Sequence, residues 1–232
     1  MSRSKTKSVK PAAASAKAQC GSPVNTPRPP SVAVMRKVDA TPVLRSSTAE
    51  GGRNTQQAPP PALRAKLRKI KLFLCDVDGV LTNGTVLLGD GKEYKSFNIQ
   101  DGLGLLLLKR NGIKVGWVSN RPSQVTQQRA EELRIDFLHQ ENGSKVSAVE
   151  TILARAGFAW EEICFMGDDV VDLGVLKRAG VAVAVANAID EAKDLADYVT
   201  RAEGGHGAVR ETVRLILEAQ EKWARVISEH SA

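Results

Sequence analysis

Two aspartates spaced i, i+2, Asp76-Val77-Asp78, stand directly behind an apolar run and directly ahead of Gly79. Further polar groups follow later apolar runs: Ser119, then Lys145, then Asp168-Asp169. Carboxylates gathered in one place repel by roughly 4 kcal/mol per pair at about 4 Å under an effective dielectric near 20. A divalent cation removes that conflict, and motifs without His or Cys point to Mg²⁺ rather than zinc. Mg²⁺ beside the Ser119 hydroxyl and the Lys145 ammonium makes a receptor for phosphate oxygens. In such a site Asp76 is the nucleophile and forms an aspartyl-phosphate, while Asp78 protonates the leaving oxygen and then activates water. An isolated Asp-x-Asp is a common solvated turn. The other motifs must converge on it for the chemistry to exist.

That convergence depends on the elements that carry them. Five of the six residues 70–75 are apolar, as in a buried parallel strand. Residues 85–88 and 93–97 flank Gly89-Asp90-Gly91-Lys92 and read as a β-hairpin. A helix opens at Asp101-Gly102 and stops at Asn111-Gly112; a second core strand, 114–118, ends at Ser119-Asn120-Arg121-Pro122. Ser123 is placed to cap a helix running to Leu133. A strand at 137–139, a helix from Lys145 to Ala156 and a strand at 163–166 lead to Gly167-Asp168-Asp169. A helix over 173–178, a strand at 181–185, a short helix at 191–196 and a last strand at 198–199 follow. After Gly204-Gly205-His206-Gly207 a single closing helix is expected from Ala208 to about Ile227. Strands alternating with helices predict a doubly wound, Rossmann-like α/β fold with a parallel sheet, a hairpin flap and no separate cap domain. A parallel sheet puts its strand ends on one rim, where such folds bind ligands.

The net charge of +7 is unevenly placed. Residues 1–65 hold eleven Lys and Arg against Asp39 and Glu50, an excess of nine, which leaves the remainder at −2. Residues 1–62 contain no aromatic residue and are rich in Ser, Ala, Pro and Thr, so residues 1–65 are expected to be a disordered basic extension. Pro27, Pro29 and Pro30 oppose the amphipathic helix of a transit peptide. A short basic helix over 62–69 leads into the domain, which is expected to span 66–232. Trp117, Trp160 and Trp223 read as core or interface residues, not stacking platforms, so no nucleic-acid partner is expected. Cys20, Cys75 and Cys164 fit no metal spacing, and two of them lie in strand-like runs. No apolar run has the length of a membrane span, and no signal sequence is visible, so a cytoplasmic location is expected.

Asp76-Val-Asp78-Gly-Val-Leu-Thr82, Ser119, Lys145 and Gly167-Asp168-Asp169, in that order, resemble the motifs of the haloacid dehalogenase superfamily of phosphatases. Phe97-Asn-Ile-Gln-Asp101-Gly-Leu-Gly104, Gly167-Asp-Asp-Val-Val-Asp172 and Gly204-Gly-His-Gly-Ala-Val-Arg-Glu211 narrow the resemblance to the 3-deoxy-D-manno-octulosonate (Kdo) 8-phosphate phosphatase family, over residues 68–223. That resemblance implies a Mg²⁺-dependent hydrolase of a sugar-acid phosphate, acting in synthesis of the lipopolysaccharide sugar Kdo. It implies a homotetramer whose hairpins form a central barrel, with the Gly-rich segment able to reach a neighbour's site. Carried over by motif, Asp76, the Asp78 main-chain carbonyl and Asp168 bind the metal, and Ser119, Asn120 and Lys145 hold phosphate. Asn98, Asp101, Gly102, Arg121 and Arg129 are placed near the sugar acid.

The chain departs from the family pattern at four positions. Gln100 and Leu106 stand where basic residues are common, Asn120 replaces the usual glycine, and His206 replaces Arg or Lys. Fewer cations for a carboxylate leave a nine-carbon, sialic-acid-type 9-phosphate as the alternative substrate. A non-catalytic oligomeric scaffold with a basic binding tail is the alternative of another class. Asp169 and Asp172 read equally as helix caps, and His206 as a structural residue.

Overall fold

A computed structural model describes residues 59–231 of the chain. Nearly all of the expected disordered extension lies outside the described residues. Its final residues do not: helix α1 (Pro61–Leu67) opens on a proline in its first turn and buries Leu63 and Leu67. Helix α1 thus lies across the boundary expected at 65–66, its two buried leucines one turn apart.

Strand β1 (Leu72–Cys75) is buried at every position, as a strand covered on both faces must be. The hairpin is β2 (Leu87–Gly89) and β3 (Lys92–Tyr94), shorter than the sequence suggests. Its turn is Asp90-Gly91, at φ of 51° and 68°, the pair of positive angles that a tight two-residue connection demands. The remaining strands are β4 (Lys114–Ser119), β5 (Phe137–Gln140), β6 (Ile163–Gly167), β7 (Val181–Ala184) and β8 (Tyr198–Val199). Six strands pair in the order β5-β4-β1-β6-β7-β8, every pair parallel. The chain winds outward from β1 through β4 to β5, then returns to the far side of β1 with β6. That reversal puts the switch point at the carboxyl ends of β4, β1 and β6.

Helices α2 (Ile99–Arg110), α3 (Gln124–Glu132), α4 (Lys145–Ala156), α5 (Leu173–Leu176), α6 (Asp190–Leu195), α7 (Ala208–Ala219) and α8 (Trp223–Glu229) complete the described unit. α7 packs along α2 and against α1, whereas α4, α5 and α6 touch one another in succession. Phe73, Trp117, Phe165 and Met166 fill the sheet's interior without exposure.

Three further differences from expectation have a visible cause or bear on the site. α2 starts at Ile99, because Asn98 accepts the N–H groups of Gln100 and Asp101 and caps it. A 3-10 turn, Val170–Asp172, leads into α5, which starts at Leu173 as expected but ends at Leu176, two residues short of the expected Arg178. The closing helix is broken into α7 and α8 at Glu221, whose φ is 60°. There Gln220 donates to the Leu67 and Ile70 carbonyls and Lys222 to that of Asn111, so bonds to distant carbonyl groups outweigh local helix propensity.

Candidate active site

The rim places Asp76 immediately after β1, where its N–H continues the ladder to the Met166 carbonyl. Its carboxylate accepts the Val77 N–H at 2.6 Å and lies 2.9 Å from Lys145 Nζ. Asp168 follows β6, and Lys145 opens α4 behind its Ser144 cap. Lys145 Nζ also lies 2.7 Å from Asp172, so one ammonium joins two carboxylates. Ser119 ends β4 and its Oγ accepts the Arg121 N–H at 3.1 Å, which fixes the loop that follows. Asn120 donates to the Gly143 carbonyl at 3.1 Å. Asp76, Asp78, Ser119, Asn120, Arg121 and Lys145 line one open cleft of about 250 Å³, with Asp169 and Val171 at its mouth.

Burial pushes the Asp76 carboxyl up to about 6 against the opposing pull of Lys145, and Asp172 adds to the rise. Burial likewise pushes Asp168 up to about 7, with Asp76 and Asp172 repelling its charge. Burial depresses the Lys145 ammonium, but Asp172 and Asp76 outweigh it and hold its pKa above the ordinary value. One lysine thus offsets only part of the charge of three carboxylates.

The metal-site reading passes a direct test. Asp76, Asp168 and Asp172 offer oxygens all within 4.8 Å of one another, and Asp168 Oδ1 is buried with no hydrogen-bond partner. A buried carboxylate oxygen left without a donor, beside a second carboxylate, is the donor set of a hard cation. The third carboxylate of this cluster is Asp172, read from the sequence as a helix cap; the metal set read there takes its third ligand from the Asp78 main chain. Asp172 Oδ1 takes Lys145 and Oδ2 takes the Asp168 and Asp169 N–H groups, so it holds the lysine and the Asp168 loop.

Asp78 turns the other way. Lys95 Nζ lies 2.8 Å from its Oδ1 and donates to Oδ2 at 3.1 Å, and Arg121 Nε donates to the same oxygen at 3.1 Å. Arg121 also donates to Glu93 at 2.7 Å. Hydrogen bonding to Arg121 draws Glu93 below the usual carboxylate range. The Asp78 Oδ2 is thus hydrogen-bonded twice, while Oδ1, ion-paired with Lys95, is buried without a hydrogen-bond partner.

Backbone approach shapes the loop between Asp78 and the hairpin. Gly79 adopts φ of 100°, and a Cβ there would overlap the Asp168 carboxylate. Thr82 Oγ1 accepts the N–H groups of Gly79 and Gly84. Gly204 presses on the Gly79 carbonyl, where a Cβ would again overlap, and Gly205 donates to the Val80 carbonyl at 2.9 Å. The Gly-rich segment therefore braces this chain's own nucleophile loop.

Asn98, Asp101, Gly102 and Arg129 do not join the cleft; they line a separate small hollow with Phe97 and Trp117. Asp101 is consumed by α7, whose Gly207 and Arg210 N–H groups it accepts. Arg129 pairs with Glu132 at 2.7 Å and covers the Phe97 ring. Asp169 is exposed and accepts its neighbour's N–H, and His206 bonds the Gly204 carbonyl, so both act in local turns. A larger groove of about 950 Å³ between the hairpin, α3 and β5 contains Glu93 but none of the rim carboxylates. Convergent reactive groups, not volume, identify the site.

The sequence reading passed over Lys95 and Glu93. Their i, i+2 spacing, opposite the exposed Tyr94, marks one face of a strand and was the available signal.

A switch-point cleft holding a nucleophilic carboxylate, a second acidic strand end and a buried lysine defines a phosphoryl-transfer hydrolase. Residues 137–211 match the family model of haloacid dehalogenase-like hydrolases. The 3-deoxy-D-manno-octulosonate 8-phosphate phosphatase KdsC of Escherichia coli K12 is 39% identical over 159 residues, spanning 68% of this chain and 85% of that protein. Its namesake from Yersinia pestis is 40% identical over 154 residues, 66% of this chain and 82% of the relative. A crystal structure of that phosphatase from Moraxella catarrhalis, in complex with magnesium, phosphate and Kdo, aligns with a TM-score of 0.71 at 36% identity. It covers 72% of this chain and 97% of its own. The cobalt-bound phosphatase of Haemophilus influenzae aligns at 0.66 and 37% identity, covering 68% of this chain and 92% of its own. The chain belongs to the haloacid dehalogenase-like hydrolases and, within them, to the 3-deoxy-D-manno-octulosonate 8-phosphate phosphatase family.

Proposed function

We propose that this protein hydrolyses 3-deoxy-D-manno-octulosonate 8-phosphate to Kdo and inorganic phosphate. The observation that carries the reading is the buried junction of Asp76, Asp168 and Lys145 at the switch point. An Asp76 oxygen attacks phosphorus, the bond to the sugar oxygen breaks, and Asp78 delivers a proton to that oxygen. Water then attacks the aspartyl-phosphate while Asp78 takes its proton, and phosphate leaves with Asp76 restored. Lys145, Ser119 and Asn120 hold the phosphoryl oxygens through both steps. Asp76 and Asp168, with the Asp78 main-chain carbonyl, would hold Mg²⁺. Bound there, Mg²⁺ would supply positive charge to the phosphoryl oxygens and offset the mutual repulsion of the carboxylates.

Arg121, on the cleft wall, is the group for the sugar acid's carboxylate. The exposed Leu87, Leu88 and Tyr94 of the hairpin support a homo-oligomer, a tetramer by family resemblance. Buried, unbridged Cys75 and Cys164 suit a reducing, cytoplasmic setting. No helix among the described residues is long and apolar enough to cross a membrane. The segment ahead of α1 carries the chain's basic excess.

Phosphate release from the eight-carbon and nine-carbon sugar-acid phosphates, with and without Mg²⁺, tests the assignment. Turnover is expected on the eight-carbon substrate with Mg²⁺ alone. Asp76→Asn is expected to remove it by on the order of 10⁴-fold or more. Near-full turnover in that variant would sink the mechanism. Preference for the nine-carbon substrate would shift the assignment in the direction that Gln100 and Leu106 favour.

A further inference from the structure

Lys95 is a lysine with no exposed side-chain surface, standing at the end of a hairpin that is otherwise mostly exposed. Its ammonium spans three anchors: both oxygens of Asp78, at 2.8 and 3.1 Å, and Thr126 Oγ1 at 2.9 Å. Thr126 is itself fully buried on α3. Glu93, on the same hairpin strand, stands 3.7 Å from the ammonium and ties Arg121 and Ser123 to it. The Asp78 carboxylate is therefore aimed by the hairpin and α3, not by the strand that bears it. A lysine stem is flexible, and ordering it in a dry site costs side-chain entropy, which the three partners must offset.

We infer that Lys95 is a positioning residue for the acid–base carboxylate, coupling the hairpin to the proton-transfer step. The inference rests on the acid–base reading of Asp78 given above. Lys95 touches neither the phosphate pocket nor the metal cluster; it sets where the Asp78 oxygens point. Proton transfer is sensitive to placement at the scale of a fraction of an ångström, so loss of this strut affects proton delivery more than phosphate binding.

The leaving group separates that role from a purely structural one. A sugar alkoxide cannot leave without a proton, whereas nitrophenolate can. Full-length Lys95→Met, Asp78→Asn and the double variant are assayed with Mg²⁺ on the sugar-acid phosphate and on p-nitrophenyl phosphate. Lys95→Met is expected to lower kcat/KM, which excludes the shared hydrolysis of the aspartyl-phosphate, about 10- to 100-fold more on the sugar phosphate than on the nitrophenyl ester, within the 10²–10⁴ that acid–base catalysis contributes. KM is expected to change little. Asp78→Asn is expected to show the same split, larger, and the double variant to be no worse than Asp78→Asn. Equal losses on both substrates, or losses that multiply in the double variant, would overturn the inference and leave Lys95 as an anchor of the hairpin.

Thr126→Val, which removes only the hydroxyl partner, replaces Lys95→Met if that variant does not fold. It is expected to show the split at smaller amplitude, and a loss without the split overturns the inference. If Asp78→Asn shows no split, the acid–base assignment itself fails, whatever Lys95 does.

Discussion

The sheet rim and the hairpin beside it both present carboxylates paired with lysine, on opposite kinds of scaffold. Asp76, Asp168 and Lys145 stand at the ends of β1 and β6 and the start of α4, on elements whose core residues are fully buried. Glu93 and Lys95 stand on or just past a strand of three residues, with Leu87 and Leu88 exposed across the hairpin. A two-stranded ribbon of that size has little stability of its own. The steps that need fixed geometry, attack and phosphate holding, rest on the rigid side. The acid–base carboxylate lies between the two, bonded to a strand end covalently and to the hairpin by Lys95 and Arg121.

Substitutions that strike the two regions sharpen the contrast. The largest stability effect is expected from Asp172→Asn, which leaves Lys145 short of a buried counter-charge. A loss of about 3 kcal/mol in denaturant unfolding, together with a steep fall in turnover, is the expected result. Gly79→Ala comes next. A side chain at φ of 100° meets strain of about 1–3 kcal/mol, and overlap with the Asp168 carboxylate adds to it. Activity is expected to fall about 100-fold, because the nucleophile loop and the Asp168 loop can no longer meet.

Away from the cleft, Glu211 gives a smaller and pH-dependent effect. Burial raises its pKa, but hydrogen bonds from the Tyr198 hydroxyl and the Arg201 and Ala202 N–H groups outweigh it, and the net shift is downward. A lowered carboxyl contributes stability that is present above the unfolded value of about 4.5 and is lost as pH falls through the lower folded value. Thermal melts from pH 7 to 3 are expected to drop less steeply in Glu211→Gln, which starts about 1 kcal/mol less stable. Leu88→Ser is expected to change unfolding by about 0.5 kcal/mol or less, since Leu88 is 80% exposed. The same substitution is expected to lower the assembled mass seen by sedimentation. An unchanged assembly would remove the hairpin from the oligomer interface.

Much of this was readable in one dimension. The apolar run into Asp76 gave β1, Ser123 capped its helix as expected, and Lys145 opens α4 where the sequence put it. These are local signals, since strand burial, capping and glycine stops act within a few residues. That Asn98 caps α2 was not legible, because a residue beside a functional motif can equally be a cap, and only the Gln100 and Asp101 N–H groups reveal it. The partners of Asp101 were hidden for a longer-range reason: the amides it accepts belong to Gly207 and Arg210, more than a hundred positions away.

The sequence alone determined the chemistry available: carboxylates, a hydroxyl and a lysine following successive apolar strands, with no ligand set for a soft metal. The tertiary structure decided which carboxylates share charge and which do not. Asp172 joins Asp76 and Asp168 because a 3-10 turn folds back under β6, and Asp78 leaves them because Lys95 and Arg121 draw it toward the hairpin. Electrostatic energy depends on distance and burial, and neither is written in spacing along the chain.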